Sequence, residues 1–371
     1  MQVWFNIYAS NHGKLDGVED IFEILKVIIN RCGYKVKITE RLEQEAINII
    51  VDEFTNIICN KEIIDFKVNF PNSKLYYVLT EFIEDKFLVK SNNFFGGLGN
   101  AAMIAVMNVY FRIYRKDFIS PNLKDWLVLC LYFPIVLLYL TKYFLSKLLT
   151  KNSQKLSSKL HSLAYMKMRH LGLEQMFRFA NGVILTHNMI GFGLRRFDVN
   201  ILGTIHPEIS NYELIKESLF KNKYLGIEIT GSITPFRKKY IKKVDQSILL
   251  YALNHTIEFC KQITFSDNPS DFRAAYSLHP PQSKSWKYSS PMRIYRALSY
   301  DYSLPILTKF FNQHPIEALC LEYKKEKTLV EMHQFYQNPK LFFDEFDKKV
   351  IQYTEIAQKE NDAIIGKMFK I

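Results

Sequence analysis

Cysteine is scarce in this chain and badly spaced for its structural uses. The five residues, Cys32, Cys59, Cys130, Cys260 and Cys320, are odd in number, and no two stand close enough for a CxxC pair. A disulfide framework and a structural zinc site are therefore not expected, and a reducing compartment fits best. The opening residues, MQVWFNIYASNHG, lack the charged start and small-residue cleavage site of a signal peptide. They read as a first β-strand in a cytoplasmic protein. Zinc-finger spacing and aromatic-basic RNA-binding motifs are also missing. So are internal repeats and low-complexity segments.

What is present is a core-forming chain. Of 371 residues, 48% are hydrophobic and 23% charged, which excludes the disordered class. At roughly 150 residues per domain this length predicts two domains with some insertion. Aromatics reach 15%, mostly Phe and Tyr, enough for large cores. The net charge of +12 admits nucleic acid, anionic lipid or a phosphorylated substrate as partner. Many of the lysines follow a strongly apolar stretch, and no nucleic-acid motif accompanies them. A nucleic-acid partner is therefore not expected.

The pattern along the chain is that of parallel α/β units. Residues 2–8 read as a strand. Val18, Ile21, Phe22, Leu25, Ile28 and Ile29 then recur at helical spacing, with Gly33 as the stop. Tyr34–Ile38, Ile47–Val51 and Leu75–Leu79 read as strands. After an interruption the same grammar returns: a helix over Leu171–Ala180, and strands over Gly182–Thr186 and 199–205. A second unit opens near Leu225–Ile229. It continues through a helix around 238–260, a strand near 273–278, a helix from about 291 to 300 and a strand at Pro305–Thr308. The last 30 or so residues read as a helix that crosses back onto the first unit. Strand, helix, strand with short connections specifies a parallel sheet.

Chemistry concentrates at two strand-to-helix junctions. In the first, Leu278-His279-Pro280-Pro281 is followed by Tyr288-Ser289-Ser290-Pro291-Met292-Arg293-Ile294-Tyr295-Arg296. Ser289 or Ser290 caps a helix with Pro291 in its first turn. The free N–H groups there, with Arg293 and Arg296, make an anion site suited to a nucleotide diphosphate. In the second, Thr230-Gly231-Ser232-Ile233-Thr234-Pro235-Phe236-Arg237 also follows a strand and opens a helix. It lacks the Gly-Lys-Ser/Thr ending of a Walker loop. The bland alternative at both places is a well-capped helix with surface arginines. Two such junctions in one half of the chain reinforce each other, because α/β sheets bind ligands at the carboxyl ends of their strands.

The runs SSPMRIYRAL, SLPILTKFF and HPIEAL, together with TGSITPFR, resemble the donor-binding half of GT-B glycosyltransferases. That resemblance is at motif level over about residues 225–320. It implies two Rossmann-like domains facing across a cleft: an acceptor domain over residues 1–210, carrying a helical apolar insertion at about 91–160, and a donor domain over residues 211–340. A C-terminal helix over 341–371 would return to the first domain. It implies that Ser289, Ser290 and Arg293 face the donor diphosphate, as do Gly231, Ser232, Thr234 and Arg237. Glu317 matches a carboxylate near the ribose or sugar. It stands five residues before Glu322, not at the family's common spacing, which leaves its role open. His279-Pro280 with Ser289-Ser290 also resembles the motifs of bacterial sialic-acid and Kdo transferases, which use CMP-sugars. The nucleotide sugar is a co-substrate, and no cofactor is implied. With no Asp-x-Asp motif, no metal is expected either.

For the base that takes the acceptor hydroxyl proton, His12 and Asp16 follow the first strand and are the first choices. Glu53, Glu81, His187 and His206 follow other strand-like runs and stand in reserve. Each of these side chains is also read as a solvated or structural residue.

Residues 91–111 carry no charge, nor do residues 126–141, after which Lys142, Lys147, Lys151, Lys155 and Lys159 recur every four or five positions. A spanning helix needs ~20 apolar residues. The run from 126 is shorter and holds Pro134. One full crossing would also separate the two halves. The expectation is a shallow hairpin or interfacial helix over about residues 126–159, its lysines meeting anionic lipid. A buried helical subdomain is the alternative. The combined reading is a membrane-associated glycosyltransferase acting on a lipid-linked or cell-envelope glycan. Its rivals are a non-catalytic membrane-surface adaptor, a basic nucleic-acid-binding protein and another sugar-nucleotide enzyme such as an epimerase.

Overall fold

The computed structural model describes residues 3–9, 19–51, 57–80, 179–188, 199–209, 212–221, 227–230, 263–266, 276–279, 291–299, 303–308, 314–324 and 338–370, together with isolated helical positions between 123 and 141 and at 177, 241, 242 and 331. Its described elements form an α/β protein with two sheets, parallel throughout. The first holds β1 (Trp4–Tyr8), β2 (Lys35–Thr39), β3 (Ile47–Val51), β4 (Lys74–Leu79), β5 (Gly182–Leu185) and β6 (Ile201–Thr204), in the order β2-β1-β3-β4-β5-β6. The second holds β7 (Ile227–Thr230), β8 (Ile263–Ser266), β9 (Tyr276–His279), β10 (Leu304–Leu307) and β11 (Leu321–Glu322), in the order β11-β10-β9-β7-β8.

Helix α1 (Glu19–Arg31) follows β1 and buries Ile21, Phe22, Ile24, Leu25, Ile28 and Ile29 against the first sheet. Each such side chain contributes about 1.5–3 kcal/mol when fully buried. Gly33 ends the helix at φ +83°, with Tyr34 N–H donating to the Ile29 carbonyl and Gly33 N–H to that of Asn30. This is the paired closure that a left-handed glycine permits. The opposite face of the sheet is covered by α2 (Ile57–Asn69), through Ile63 and Ile64 packed on Tyr8, Ile50, Tyr77 and Leu79. Helix α2, β8, β11 and a helix over Tyr212–Lys221 were not foreseen from the sequence.

The connection from β2 to β3 has no helix. Residues 40–46 must cross β1, because β1 lies between the two strands they join. Asn6 and Asn48, fully buried and paired in register on β1 and β3, make that crossing possible. Asn6 Nδ2 donates to Asn48 Oδ1 (2.9 Å) and to the Arg41 carbonyl (2.8 Å). Asn48 Nδ2 donates to the Glu43 carbonyl (2.8 Å), and its Oδ1 accepts from Glu43 N–H (2.9 Å). Two amides in otherwise apolar strands thus satisfy the backbone of a loop laid across the sheet, where unpaired groups would be costly.

The remaining described helices are α3 (Tyr212–Lys221), which packs on α4 (Pro291–Ser299), and the long α5 (Pro339–Lys370). At 1.5 Å per residue, the 32 residues of α5 span about 48 Å. It packs on the 3₁₀ turn Pro315–Leu319 of the second half and on β6 of the first. Its final carbonyls are capped by the first sheet: Lys74 Nζ donates to those of Met368 (3.1 Å) and Phe369 (3.0 Å), and Tyr76 OH donates to that of Met368 (2.8 Å). A cation and a hydroxyl at a helix C-terminus offset its unpaired carbonyls and its dipole. Gly203, at φ +155°, admits this packing, since a Cβ there would lie 3.0 Å from Ile364 Cγ1. One apolar cluster consequently runs from Phe5 and Ile49 in the first sheet, through α1, α4 and α5, to Leu278 and Ile306 in the second.

Among the described residues, no helix is long and apolar enough to cross a membrane. Within the predicted insertion the described positions are helical, and Leu123 (79%), Leu131 (67%) and Leu138 (72%) are exposed along with Trp126, Leu127, Phe133 and Leu137. Lys142, Lys147, Lys151, Lys155 and Lys159 lie outside the described residues.

Candidate functional site

Three of the donor-side residues expected from the sequence fall on described elements. His279 is the last residue of β9, at its carboxyl end, and is buried with Nε2 3.0 Å from Ser277 Oγ. Arg293 lies in the first turn of α4, which begins at Pro291 immediately after Ser289-Ser290. The helix owes its strict amphipathicity to Met292, Ile294, Tyr295, Ala297 and Leu298, all buried, with Arg293 left part-exposed. Arg296, one turn on, reaches 3.8 Å from Asp20 in the first turn of α1 and so faces the first half of the molecule. Glu317 is buried in the 3₁₀ turn, which packs against both α4 and α5. His12, Asp16, Gly231, Ser232, Thr234, Arg237, Ser289 and Ser290 lie outside the described residues, as do Glu53 and Glu81.

The reserve histidines converge with one that the sequence reading did not single out. His187 follows β5, His206 follows β6, and His314 caps the 3₁₀ turn after β10. The His206 and His314 rings are 4.6 Å apart between centroids, and those of His187 and His314 are 6.3 Å apart. His314 Nδ1 accepts from Ile316 N–H (3.2 Å), so its proton sits on Nε2. His206 Nε2 donates to Glu360 Oε2 (2.5 Å), leaving Nδ1 as an acceptor. Neither His314 Nε2 nor His206 Nδ1 has a well-formed hydrogen bond among the described residues, and an interaction with the Ile205 backbone supports the His314 proton. Burial pushes the His187 pKa down to about 4. Burial also lowers His206, against the opposing pull of Glu360. His314 is held well below the ordinary range by burial and then by its two histidine neighbours. All three are neutral at pH 7. Among the described residues, no three His, Cys, Asp or Glu side chains are grouped as metal ligands. The His-Pro pair at 314–315, a cap before a helical proline, was the available sequence signal.

Below this cluster a polar clamp joins the halves. Residues 205–209, leaving β6, are held by α5. Fully buried Asn361 accepts from His206 N–H (2.9 Å) and donates to the His206 carbonyl (2.8 Å) and to Glu208 Oε1 (2.9 Å). Tyr353 OH donates to the Pro207 carbonyl (2.5 Å). Arg31 donates to Glu208 (2.7 Å) and Asp362 (2.6 Å). Burial disfavours the Arg31 charge, but the two carboxylates hold its pKa above the usual value.

The first sheet carries a cavity of about 370 Å³ at the carboxyl ends of β1 and β2, lined by Tyr8, Glu40, Arg41, Leu42, Glu62 and Phe66. Tyr8 OH donates to Glu62 Oε2 (2.8 Å) within that lining. The Asn6–Asn48 pair fixes its loop wall and α2 supplies the other. A lone Asn within each of the apolar runs WFNIY and INIIV was the sequence signal for that wall.

No family model matches the chain, and no curated protein matches it.

Proposed function

We propose that this protein is a glycosyltransferase of the GT-B kind that takes its sugar from a nucleotide-sugar donor and works at a membrane surface. The observation that carries the reading is the β9–α4 junction. In an all-parallel sheet, His279 ends a strand, and a helix then opens at Pro291 with Arg293 in its first turn. Free N–H groups and a guanidinium at such a place suit a diphosphate. In this reading Ser289, Ser290 and Arg293 bind the donor diphosphate, with Gly231, Ser232, Thr234 and Arg237 on its other side and Glu317 toward the ribose or sugar. His12 or Asp16, with His12 the first choice, takes the acceptor proton. Helix ends and arginines neutralise the leaving group, so the chemistry does not call for a metal. The acceptor is a lipid-linked or cell-envelope glycan, and the donor is a nucleoside-diphosphate sugar or a CMP-sugar.

Titration of the full chain with a panel of nucleotide sugars tests this. Arg293→Ala should weaken donor binding by about 1.5–3 kcal/mol, the range for a lost charged hydrogen bond. His12→Ala should leave donor affinity intact and lower transfer about 100-fold or more. A wild-type protein that binds no nucleotide sugar overturns the reading and favours the adaptor.

The exposed leucines and Trp126 of the apolar segment support the membrane component, since a patch of this kind on a soluble surface marks an interaction site. Burying it contributes roughly 25 cal/mol per Å². The lysines from 142 to 159 add about 1 kcal/mol each near anionic lipid, a component that salt screens. In liposome flotation, capture should be stronger on anionic than on neutral vesicles and survive in part at high salt. Changing Lys147, Lys151 and Lys155 to Gln should abolish the preference for anionic lipid. Indifference of the wild-type protein to both vesicle types rules out membrane contact.

A further inference from the structure

We infer that the cavity beside Tyr8 is a saccharide subsite that holds one sugar unit of the acceptor. The inference rests on the glycosyltransferase reading for its role, and on the cavity's own chemistry for its ligand. A volume of about 370 Å³ lies at the small end of ligand pockets. Its walls combine two carboxylates, Glu40 and Glu62, with one guanidinium, Arg41, and the ring of Phe66. Sugar hydroxyls donate to carboxylates and accept from guanidinium, and the C–H face of a pyranose lies on an aromatic ring. Among the described lining residues carboxylates outnumber guanidinium, a balance that does not favour a phosphate. An acyl chain would find charged side chains among the described lining residues. Neither matches the lining as a neutral polyol does.

The walls are rigid for a physical reason. The loop bearing Glu40, Arg41 and Leu42 is tied down by fully buried Asn6 and Asn48, and Glu62 is oriented by the buried Tyr8 hydroxyl. A site held in place before binding loses less entropy on binding. Tyr8 is also the last residue of β1, and His12 and Asp16 follow it in the sequence. A sugar held here is anchored at the strand end from which the loop of the proposed base begins.

Saturation-transfer NMR on the full chain tests this, with the methyl glycosides of glucose, galactose and N-acetylglucosamine as probes. At least one should receive saturation from the protein. Glu62→Gln keeps an oxygen for the Tyr8 hydroxyl and removes the charge. It should weaken that glycoside about tenfold, as should Arg41→Ala on the exposed loop. Phe66→Leu should reduce transfer to the sugar C–H protons. Donor affinity should stay unchanged in all three, with thermal melting as the check on folding. No transfer to any glycoside, or equal transfer in wild type and all variants, overturns the inference. If those variants are indistinguishable from wild type while nucleotide sugar still binds, the cavity assignment fails alone. If glycosides bind in the cavity and no nucleotide sugar binds, the saccharide site stands and the transferase reading falls.

Discussion

Asn361→Ala should be among the most destabilising single substitutions in the described structure, at about 3–5 kcal/mol. The side chain makes three buried hydrogen bonds, to both backbone groups of His206 and to Glu208. Each buried partner left unsatisfied costs on the order of 1–3 kcal/mol, and more where it is charged. Glu208 would keep Arg31 but lose its second partner at a position only 7% exposed. Asn361→Asp should be no milder, because it sets a carboxylate against Glu208 and the His206 carbonyl. By contrast, Asp362→Ala removes a half-exposed ion pair and should cost less than about 1 kcal/mol. Urea unfolding midpoints at pH 7 measure all three. Near-equal midpoints for Asn361→Ala and Asp362→Ala would show that α5 does not hold the 205–209 segment through this amide.

Acidification from pH 7 to pH 4 should remove several kcal/mol of stability, most of it through the three histidines. The sign follows from where the protons go. His187 has a folded pKa near 4 against an ordinary 6.5, so between those values the unfolded chain binds more protons than the native one. Stability therefore rises with pH through that window, and falls as pH drops from 6.5 toward 4. The separation corresponds to about 3 kcal/mol for His187 alone. His206 and His314 shift in the same direction and add to the loss. His314→Asn retains a cap acceptor for Ile316 N–H but cannot titrate, and His187→Gln removes the second group. The double variant should show a much shallower decline between pH 6.5 and pH 4. Urea unfolding across this range provides the test, and a wild-type stability that is flat down to pH 5 would exclude neutral buried imidazoles at the junction.

Much of the secondary structure was legible because its signals are local. Glu19–Arg31 announces itself through apolar residues at spacings of three and four and through Gly33, which needs no tertiary help to adopt a left-handed conformation. Apart from Asn48 and the leading Lys74, Ile47–Val51 and Lys74–Leu79 are short apolar runs, as expected of strands covered on both faces. Helix α2 escaped because its apolar residues spread around the helix instead of keeping to one side: Ile57, Ile58, Ile63, Ile64, Phe66 and Val68 do not recur at spacings of three and four alone. Strand β11 is only 2 residues long, too short for a pattern to stand out, and β8 offers just Ile263 and Phe265 as apolar residues, broken by Thr264.

The sites divide in the same way. A helix start after a strand, with a proline in its first turn, is written in consecutive residues, so the junction at Pro291 could be read directly. The histidine cluster could not. His187, His206 and His314 are separated by 19 and 108 positions, and nothing in their immediate neighbours tells that three chain segments meet. The same holds for the cavity, whose walls come from β1, the β2–β3 loop and α2. The sequence alone determined the parallel α/β class, the helix stop at Gly33 and the apolar character of residues 126–141, because propensity, periodicity and hydropathy act over a few residues. Only the tertiary structure decided that α5 ties β6 to the 3₁₀ turn of the second half, that Asn361 satisfies the connecting backbone, and that the imidazoles are buried together and neutral. Those depend on which groups lose water on folding and what each meets when it does, and burial is a property of the whole packed chain.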